Sequence, residues 1–431
     1  MKWIKSYIKK LLPNYIWSVM HDFRYHASFF VSHINANRAC RKLRKKQEPL
    51  NVLFFALYES VWKYDSVFQH MLKDPNFNPL IIVCPVVNNG QEYMLQTIKR
   101  CYDYFESKGY PCICAYDEKT DTYIDPHQYK PDIIFYTRPY PSEINSMYVS
   151  SNFKDVLSCY VNYFYITMKN SYASLVDFHK LVWRYYLEYP EFLEQITKNS
   201  LWFKYNGRVV GYPLFDSFRM YNQKDSDWPI VGKRKKRIIW APHHTIGVKN
   251  PMVALSTFER YYELMLKIAE NYKDTIEIVF KPHPLLKPNL YNAQGWGKQR
   301  TDAYYEKWAN SENTALIEGE YIGLFFASDA MIHDCNSFTV EYLAVHKPAM
   351  FLNSGKADDT LNHVAIEARR CYYNGSSEKD IERFVQQVVL GDEDELKDRR
   401  EAFFKKYILP TNGKLAAENI IDDLLTSLGR K

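Results

Sequence analysis

The stretch Ser328–Asn353, SDAMIHDCNSFTVEYLAVHKPAMFLN, reads as strand, turn, helix and strand. Ala330–His333 is a short apolar strand, Asp334–Ser337 a polar turn, Phe338–Val345 a helix and Ala349–Leu352 a second strand. Asn336 or Ser337 can cap that helix, and Glu341 falls on its second turn. A strand that runs straight into a capped helix aims unpaired N–H groups and the positive dipole end at one point, which suits a phosphate. An ordinary β–α connection whose polar residues only cap explains the same spacing. The upstream sequence decides between them.

Two earlier strands end the same way. RIIWAP runs into His243-His244-Thr245, and TIEIVF runs into Lys281-Pro282-His283-Pro284. Helices are expected at Phe258–Tyr272, Thr301–Asn310 and Gly319–Ala327, and at 378–390, 393–407 and 414–428 in the tail. If the strands are parallel, their ends (PHHT, KPHP and HDCNS) meet on one rim, where imidazoles, a Lys, a hydroxyl and helix N-termini make a diphosphate site without a metal. A single His is more often structural than functional. Repeated placement at strand ends favours function for His283 and His244. No HxxxH or HxH spacing on one element supports zinc.

The first half alternates in the same manner. NVLFFALY is a continuous apolar strand of the kind buried on both faces of a parallel sheet. Helices at 66–73 and 91–108 and strands at 79–84, 112–116 and 132–136 follow, which argues for a doubly wound α/β domain. Ligands there bind beyond the strand C-termini, placing Tyr58-Glu59-Ser60, 87–90 and Thr137-Arg138 at a rim. Residues 160–168 read as a strand. SLVDFHKLVWRYYLEYPEFLEQI reads as helical with a break at Pro190. GYPLFD follows a short strand, and the polar segment Tyr221–Lys236 is expected to link two domains. No GxGxxG or GxxxxGK[ST] is present, so nothing indicates a nicotinamide or ATP site.

A chain of 431 residues exceeds one ordinary core. Eight scattered Cys, mostly in apolar runs, read as reduced core thiols of a cytoplasmic protein. Thirty-six Tyr are unusual, and the sequence offers no reason for them. The net charge of +6 is uneven: residues 1–50 carry 11 Lys/Arg against 2 Asp/Glu, and the other 381 carry 45 against 48. The basicity belongs to a leader and excludes a broad nucleic-acid surface. Trp3, Ile4, Tyr7, Ile8, Leu11 and Leu12 recur at helical spacing with Lys2, Lys5, Lys9 and Lys10 around the other side. No uncharged run is long enough to cross a bilayer, so the leader is expected to lie on an anionic membrane surface. The competing reading packs this helix on the protein, with Arg38–Lys46 as a solvated linker. The expected domains are residues 1–48, 49–225 and 226–431, the last helix being a candidate to cross back.

In order, GYPLFD (Gly211–Asp216), WAPHHT (Trp240–Thr245), KPHP (Lys281–Pro284) and DAMIHDCNSFTVEYLAVHKPAMF (Asp329–Phe351) resemble the CDP-glycerol glycerophosphotransferase family, the teichoic-acid primases and polymerases. The match spans about residues 205–430. It implies a GT-B fold, two Rossmann-like domains facing a cleft, with the donor nucleotide on the C-terminal one. It also implies peripheral attachment to the inner face of the cell membrane. The family's strand-end Thr-Trp pair is replaced here by His243-His244, beside Thr245. Its HP motif corresponds to His283-Pro284, preceded by Lys281. Its phosphate-binding turn corresponds to Asp334-Cys335-Asn336-Ser337, and Glu341 occupies the position used for a ribose hydroxyl. Gly211 and Pro213 complete the donor-binding set. The HGT motif that supplies the family's proposed base is absent, which leaves Glu59, Asp65 or His70 as candidates and His244 as a second catalytic imidazole beside His283.

The expected activity is transfer of a polyol phosphate from a CDP-activated donor to a hydroxyl of a cell-envelope glycan or lipid-linked acceptor, with no cofactor or metal required. The alternatives are a GT-B glycosyltransferase that uses a nucleotide sugar, and a non-catalytic assembly protein on the same fold.

Overall fold

Two parallel sheets organise the chain in a computed structural model. It describes residues 14–88, 90–169, 176–248, 254–355, 360–410 and 412–430, with side chains from residue 27 onward except those of residues 199 and 225. The amphipathic stretch at residues 1–13 lies outside the described residues. The first sheet is built from β1 (Leu50–Ala56), β2 (Phe77–Val83) and β3 (Cys112–Cys114), then, after a small antiparallel ribbon of β4 (Tyr116–Asp117) and β5 (Thr122–Tyr123), from β6 (Ile133–Tyr136), β7 (Leu157–Val161), β8 (Arg184–Leu187) and β9 (Gly207–Val209). Its order is β3-β2-β1-β6-β7-β8-β9, all parallel. The second is built from β10 (Lys236–Ala241), β11 (Ile276–Phe280), β12 (Thr314–Leu316), β13 (Ala330–His333), β14 (Ala349–Leu352) and β15 (Tyr373–Gly375). Its order is β12-β11-β10-β13-β14-β15, again all parallel.

Each sheet doubles back once, between β1 and β6 and between β10 and β13. The apolar runs that form these strands are buried along nearly their whole length, as two-sided packing requires. In the second sheet Trp240 stacks on Phe280 (4.9 Å) and meets Phe258 (5.8 Å) and Trp308 (5.4 Å). In the first, Tyr64 shows one use of the abundant tyrosines: its hydroxyl donates to Tyr136 O (2.7 Å) and accepts from Val161 N (2.8 Å), tying β6 to β7 from the side.

The chain divides into a first unit of residues 1–164, 171–213 and 414–431 and a second of 165–170 and 214–413. The changeover at 213/214 precedes the segment 221–236 that composition marked as a linker. That segment packs inside the second unit. Tyr221 stacks on Phe326 (5.4 Å), and buried Trp228 donates its indole N–H to Glu277 (2.7 Å), two contacts that a polar composition hides. The final helix, Ala416–Ser427, belongs to the first unit, where Asp423 pairs with Arg184 (2.8 Å) and Asn419 donates to Val210 O (3.0 Å).

Two readings of the sequence change here. Arg184–Leu187, expected within a helix, is the buried strand β8, because its aromatic run fits a pleated, two-sided position. The break expected at Pro190 is present: Pro190 opens the helix Pro190–Asn199 at its first turn, where its missing N–H costs nothing. Of Arg38–Lys46, a solvated linker in the competing reading, the part up to Leu43 is the end of the helix Asn14–Leu43, which packs on the first unit through Phe29, Ala39, Cys40 and Leu43.

His333 ends β13 wholly buried, its Nδ1 donating to Cys335 O (3.1 Å). Burial lowers its imidazole to about 3. The unfolded chain takes up a proton below about 6.5 that the folded chain refuses, so this contribution is full above that pH and is lost as pH falls. In thermal or denaturant melts, wild type should lose about 2 kcal/mol more than His333→Leu between pH 7 and pH 5; parallel pH profiles would refute this.

Candidate functional site

The reversal of strand order between β10 and β13 opens a crevice beyond their C-terminal ends, the usual ligand position in doubly wound sheets. Asp334 follows β13 directly and is buried. One carboxylate oxygen accepts the His243 N–H (2.5 Å), and the other accepts the Thr257 N–H (2.5 Å) and hydroxyl (2.9 Å). Burial pushes this carboxyl up to about 6, while the three donors pull the other way. Asp334 therefore braces the loop after β10 and the start of the helix Phe258–Asn271. With both oxygens engaged, it is a brace and not the donor ligand expected from sequence.

That brace sets three imidazoles side by side. His243 and His244 follow β10, and His283, two residues past Lys281, is anchored through its own N–H on Pro242 O (3.1 Å). Ring centroids are 4.3 Å apart for His243 and His244, 4.2 Å for His244 and His283, and 5.2 Å for His243 and His283. One ring nitrogen from each lies within 4.8 Å of those of the other two, close enough for an ion to bridge. The outer contacts argue for a different ligand. Leu285 N–H donates to His283 Nδ1 (3.1 Å). The Asn289 amide, which also donates to His244 O (2.9 Å), faces His244 Nδ1 (3.3 Å). Thr245 Oγ1 already accepts from Leu255 N (3.0 Å) and Ser256 N (3.2 Å), so its proton goes to His243 Nδ1 (3.0 Å).

Each Nδ1 thus accepts, and each neutral ring carries its proton on Nε2. Metal-ligating histidines show the opposite wiring, the outer nitrogen donating to a carboxylate or carbonyl. Burial lowers His243 to about 2, helped by its two neighbours, and His283 to about 3, and it also lowers His244. Three uncharged rings that present N–H groups suit anionic oxygens better than a cation.

The remaining expected residues fall in different surroundings. Lys281 is buried, its ammonium bonded to Gly319 O (2.8 Å), and burial lowers it to about 8. Asn336 and Ser337 do not cap. Cys335 is the N-cap residue, without a side-chain bond, of the short helix Asn336–Glu341, and a tighter turn, Tyr342–Val345, completes the expected helix. Asn336 Oδ1 accepts from Arg369 (3.3 Å), while Ser337 stays half-buried. Glu341 is buried and accepts from the Tyr321 hydroxyl (2.7 Å). Asn289 and Arg369 were missed because they sit in the helices Leu286–Asn292 and His363–Arg369, the first disguised by Pro288.

Glu59, Gly211 and Pro213 lie in the first unit. Glu59 pairs with Arg100 (2.7 Å) through one oxygen, and the other is buried without a hydrogen-bond partner. Gly211 takes a positive φ of 93°, which turns the chain from β9 into the helix Pro213–Arg219. Asp65 is occupied by Tyr110 (3.1 Å) and Lys108 (3.2 Å), and His70 Nδ1 by Ser66 O (2.8 Å). The first sheet has its own crevice where its order reverses. A cavity of about 480 Å³ lies past β1 and β6, lined among others by Phe55, Leu57, Thr137, Arg138 and Tyr140. Arg138 forks onto Glu143 (2.6 and 2.9 Å) and lies over the Tyr163 ring (4.1 Å).

Residues 167–424 match the family described as CDP-Glycerol:Poly(glycerophosphate) glycerophosphotransferase. No curated protein matches the chain. Among solved structures it is similar to MnaA from S. aureus in complex with UDP (12% identity, 89% of this chain and 98% of that one, TM-score 0.56). It is also similar to a UDP-GlcNAc 2-epimerase from Neisseria meningitidis bound to UDP-GlcNAc (13% identity, 88% and 100%, TM-score 0.55). A third is a variant of the wall teichoic acid polymerase TagF soaked with CDPG (13% identity, 95% and 98%, TM-score 0.54). At these identities the likeness shows the fold, two Rossmann-like sheets of the GT-B kind.

Asp334→Ala leaves the amides of His243 and Thr257 without their acceptor in a buried place. It should cost about 3 kcal/mol of stability, against less than about 0.5 kcal/mol for Ser337→Ala. Equal melting temperatures for the two variants would show that the brace carries no load.

Proposed function

The chain belongs to the CDP-glycerol:poly(glycerophosphate) glycerophosphotransferase family, and on that premise we propose how its residues divide the reaction. It is a transferase that moves a polyol phosphate from a nucleotide-activated donor in cell-wall glycopolymer synthesis. The observation that carries the residue assignment is the set of three neutral imidazoles, each wired through Nδ1 so that Nε2–H is free to donate.

A hydroxyl oxygen of the acceptor attacks the phosphorus that bears the polyol. The P–O bond of the diphosphate breaks, CMP leaves with the bonding electrons, and a phosphodiester forms. Negative charge grows on the leaving phosphate oxygens. His283 donates to them from Nε2, with His243 and His244 beside it, and no proton need be taken up beforehand. Lys281 adds positive charge from behind, while Asp334 holds the loop in place. The same wiring argues against a basic role for these rings: Nε2 already carries a proton and Nδ1 is engaged. The hydroxyl proton needs a carboxylate, and Glu59, with one oxygen unbonded, is our candidate.

The acceptor in this reading is a hydroxyl of a cell-envelope glycan or a lipid-linked chain, taken at the inner face of the cell membrane. The basic character of residues 1–50 supports attachment to an anionic surface, and no helix among the described residues is long and apolar enough to cross a membrane.

His283→Ala should lower CMP release from CDP-glycerol about a hundredfold or more, with acceptor present, while the fold is kept. Undiminished turnover would sink the assignment. Release of a nucleoside diphosphate instead of CMP would mean that a sugar, and not a polyol phosphate, is transferred.

A further inference from the structure

A second charged site lies in the first unit, apart from the strand ends described above. We propose that a cavity of about 370 Å³ there receives the phosphate of an anionic lipid headgroup. This rests on the membrane reading given above and assigns it to particular residues.

Five cationic side chains line the cavity: Arg44, Lys180, Arg184, Lys204 and Arg208. Among the described residues that line it there is no Asp or Glu. Asp423 stands behind, and two guanidiniums share it, Arg184 at 2.8 Å and Arg208 at 3.5 Å, with the Tyr186 hydroxyl on the same carboxylate (3.0 Å). Arg44 forks onto a neutral acceptor, Ser427 O (3.2 and 3.0 Å). The cavity therefore carries positive charge in excess of its neighbours. Arg208 feels that excess: burial and then the Arg184 charge hold it below its usual range. A phosphate placed here would form charge-assisted hydrogen bonds to groups that now repel one another.

The flanks point to a lipid and not a free anion. Phe29, on the helix Asn14–Leu43, packs on Trp202 (5.5 Å), and His33 packs on Tyr205 (5.7 Å), so cavity and helix form one surface. Tyr205 lines the cavity and is 58% exposed, Trp202 lines it too, and Leu201, the neighbour of Trp202 in sequence, is 66% exposed. A soluble phosphate needs no such surroundings. Exposed aliphatic and aromatic groups beside a basic cavity are what the headgroup region of a bilayer accommodates.

The test is co-sedimentation of the full chain with vesicles of phosphatidylcholine alone or with phosphatidylglycerol added. Wild type should bind only the anionic vesicles. Lys204→Gln, at an exposed position that leaves folding alone, should lower partition roughly fivefold, and Lys204→Gln with Arg208→Gln roughly 25-fold. Lys73→Gln, an equal charge loss elsewhere on the first unit, should leave it unchanged. If all variants bind as wild type does, the cavity assignment falls while the membrane reading stands. If wild type binds neither vesicle, both fall. If inorganic phosphate binds the protein without vesicles and Lys204→Gln with Arg208→Gln abolishes that binding, yet the same double variant still co-sediments as wild type does, the cavity takes a soluble anion and the lipid assignment is overturned.

Discussion

Asp334 takes a charge out of water and turns it on two backbone amides and one hydroxyl. Its two oxygens hold the His243 and Thr257 amides, which belong to the loop after β10 and to the helix that follows it. A buried carboxylate is costly unless its lone pairs are filled, and here the filling groups are the ones that must be fixed if the imidazoles are to meet. The rest of the site inherits this geometry. Ser256 Oγ closes onto His243 O (2.8 Å), Thr245 Oγ1 gathers two amides, and His283 hangs from Pro242 O.

What the brace produces is a pocket rim whose histidines are specified twice, once in position and once in protonation. Position comes from the C-termini of β10 and β11. Protonation comes from the donors behind each Nδ1, which differ in kind: a hydroxyl, an amide side chain and a backbone N–H. Charge on the substrate can then be met by dipoles that are already oriented and pay no reorganisation cost.

The strands were legible because parallel strands buried on both faces leave unbroken apolar runs. Ala330–His333 and Ala349–Leu352 match the structure residue for residue. The convergence of His243, His244 and His283 was legible for the same reason, since strand ends in a doubly wound sheet share one rim. Their tautomers were not, because the deciding partners arrive from segments with weak local signals, such as Asn289 in a helix that contains Pro288. β8 was hidden in the opposite sense: Arg184–Leu187 sits among aromatics whose spacing also fits a helix. The cationic cavity was out of reach altogether. Its five charges come from three separate stretches of chain, and only folding adds them together.

The helix Ala416–Ser427 has a bearing on how the protein is made. It completes the first unit, yet it is encoded after the whole of the second. On the ribosome the seven-stranded sheet is translated before this helix, and until the helix emerges Arg184 lacks the carboxylate of Asp423. The second unit, contiguous from residue 214 to 413 apart from one short upstream segment, can close first. A premature stop just short of the last helix would therefore remove a part of the unit that was made first.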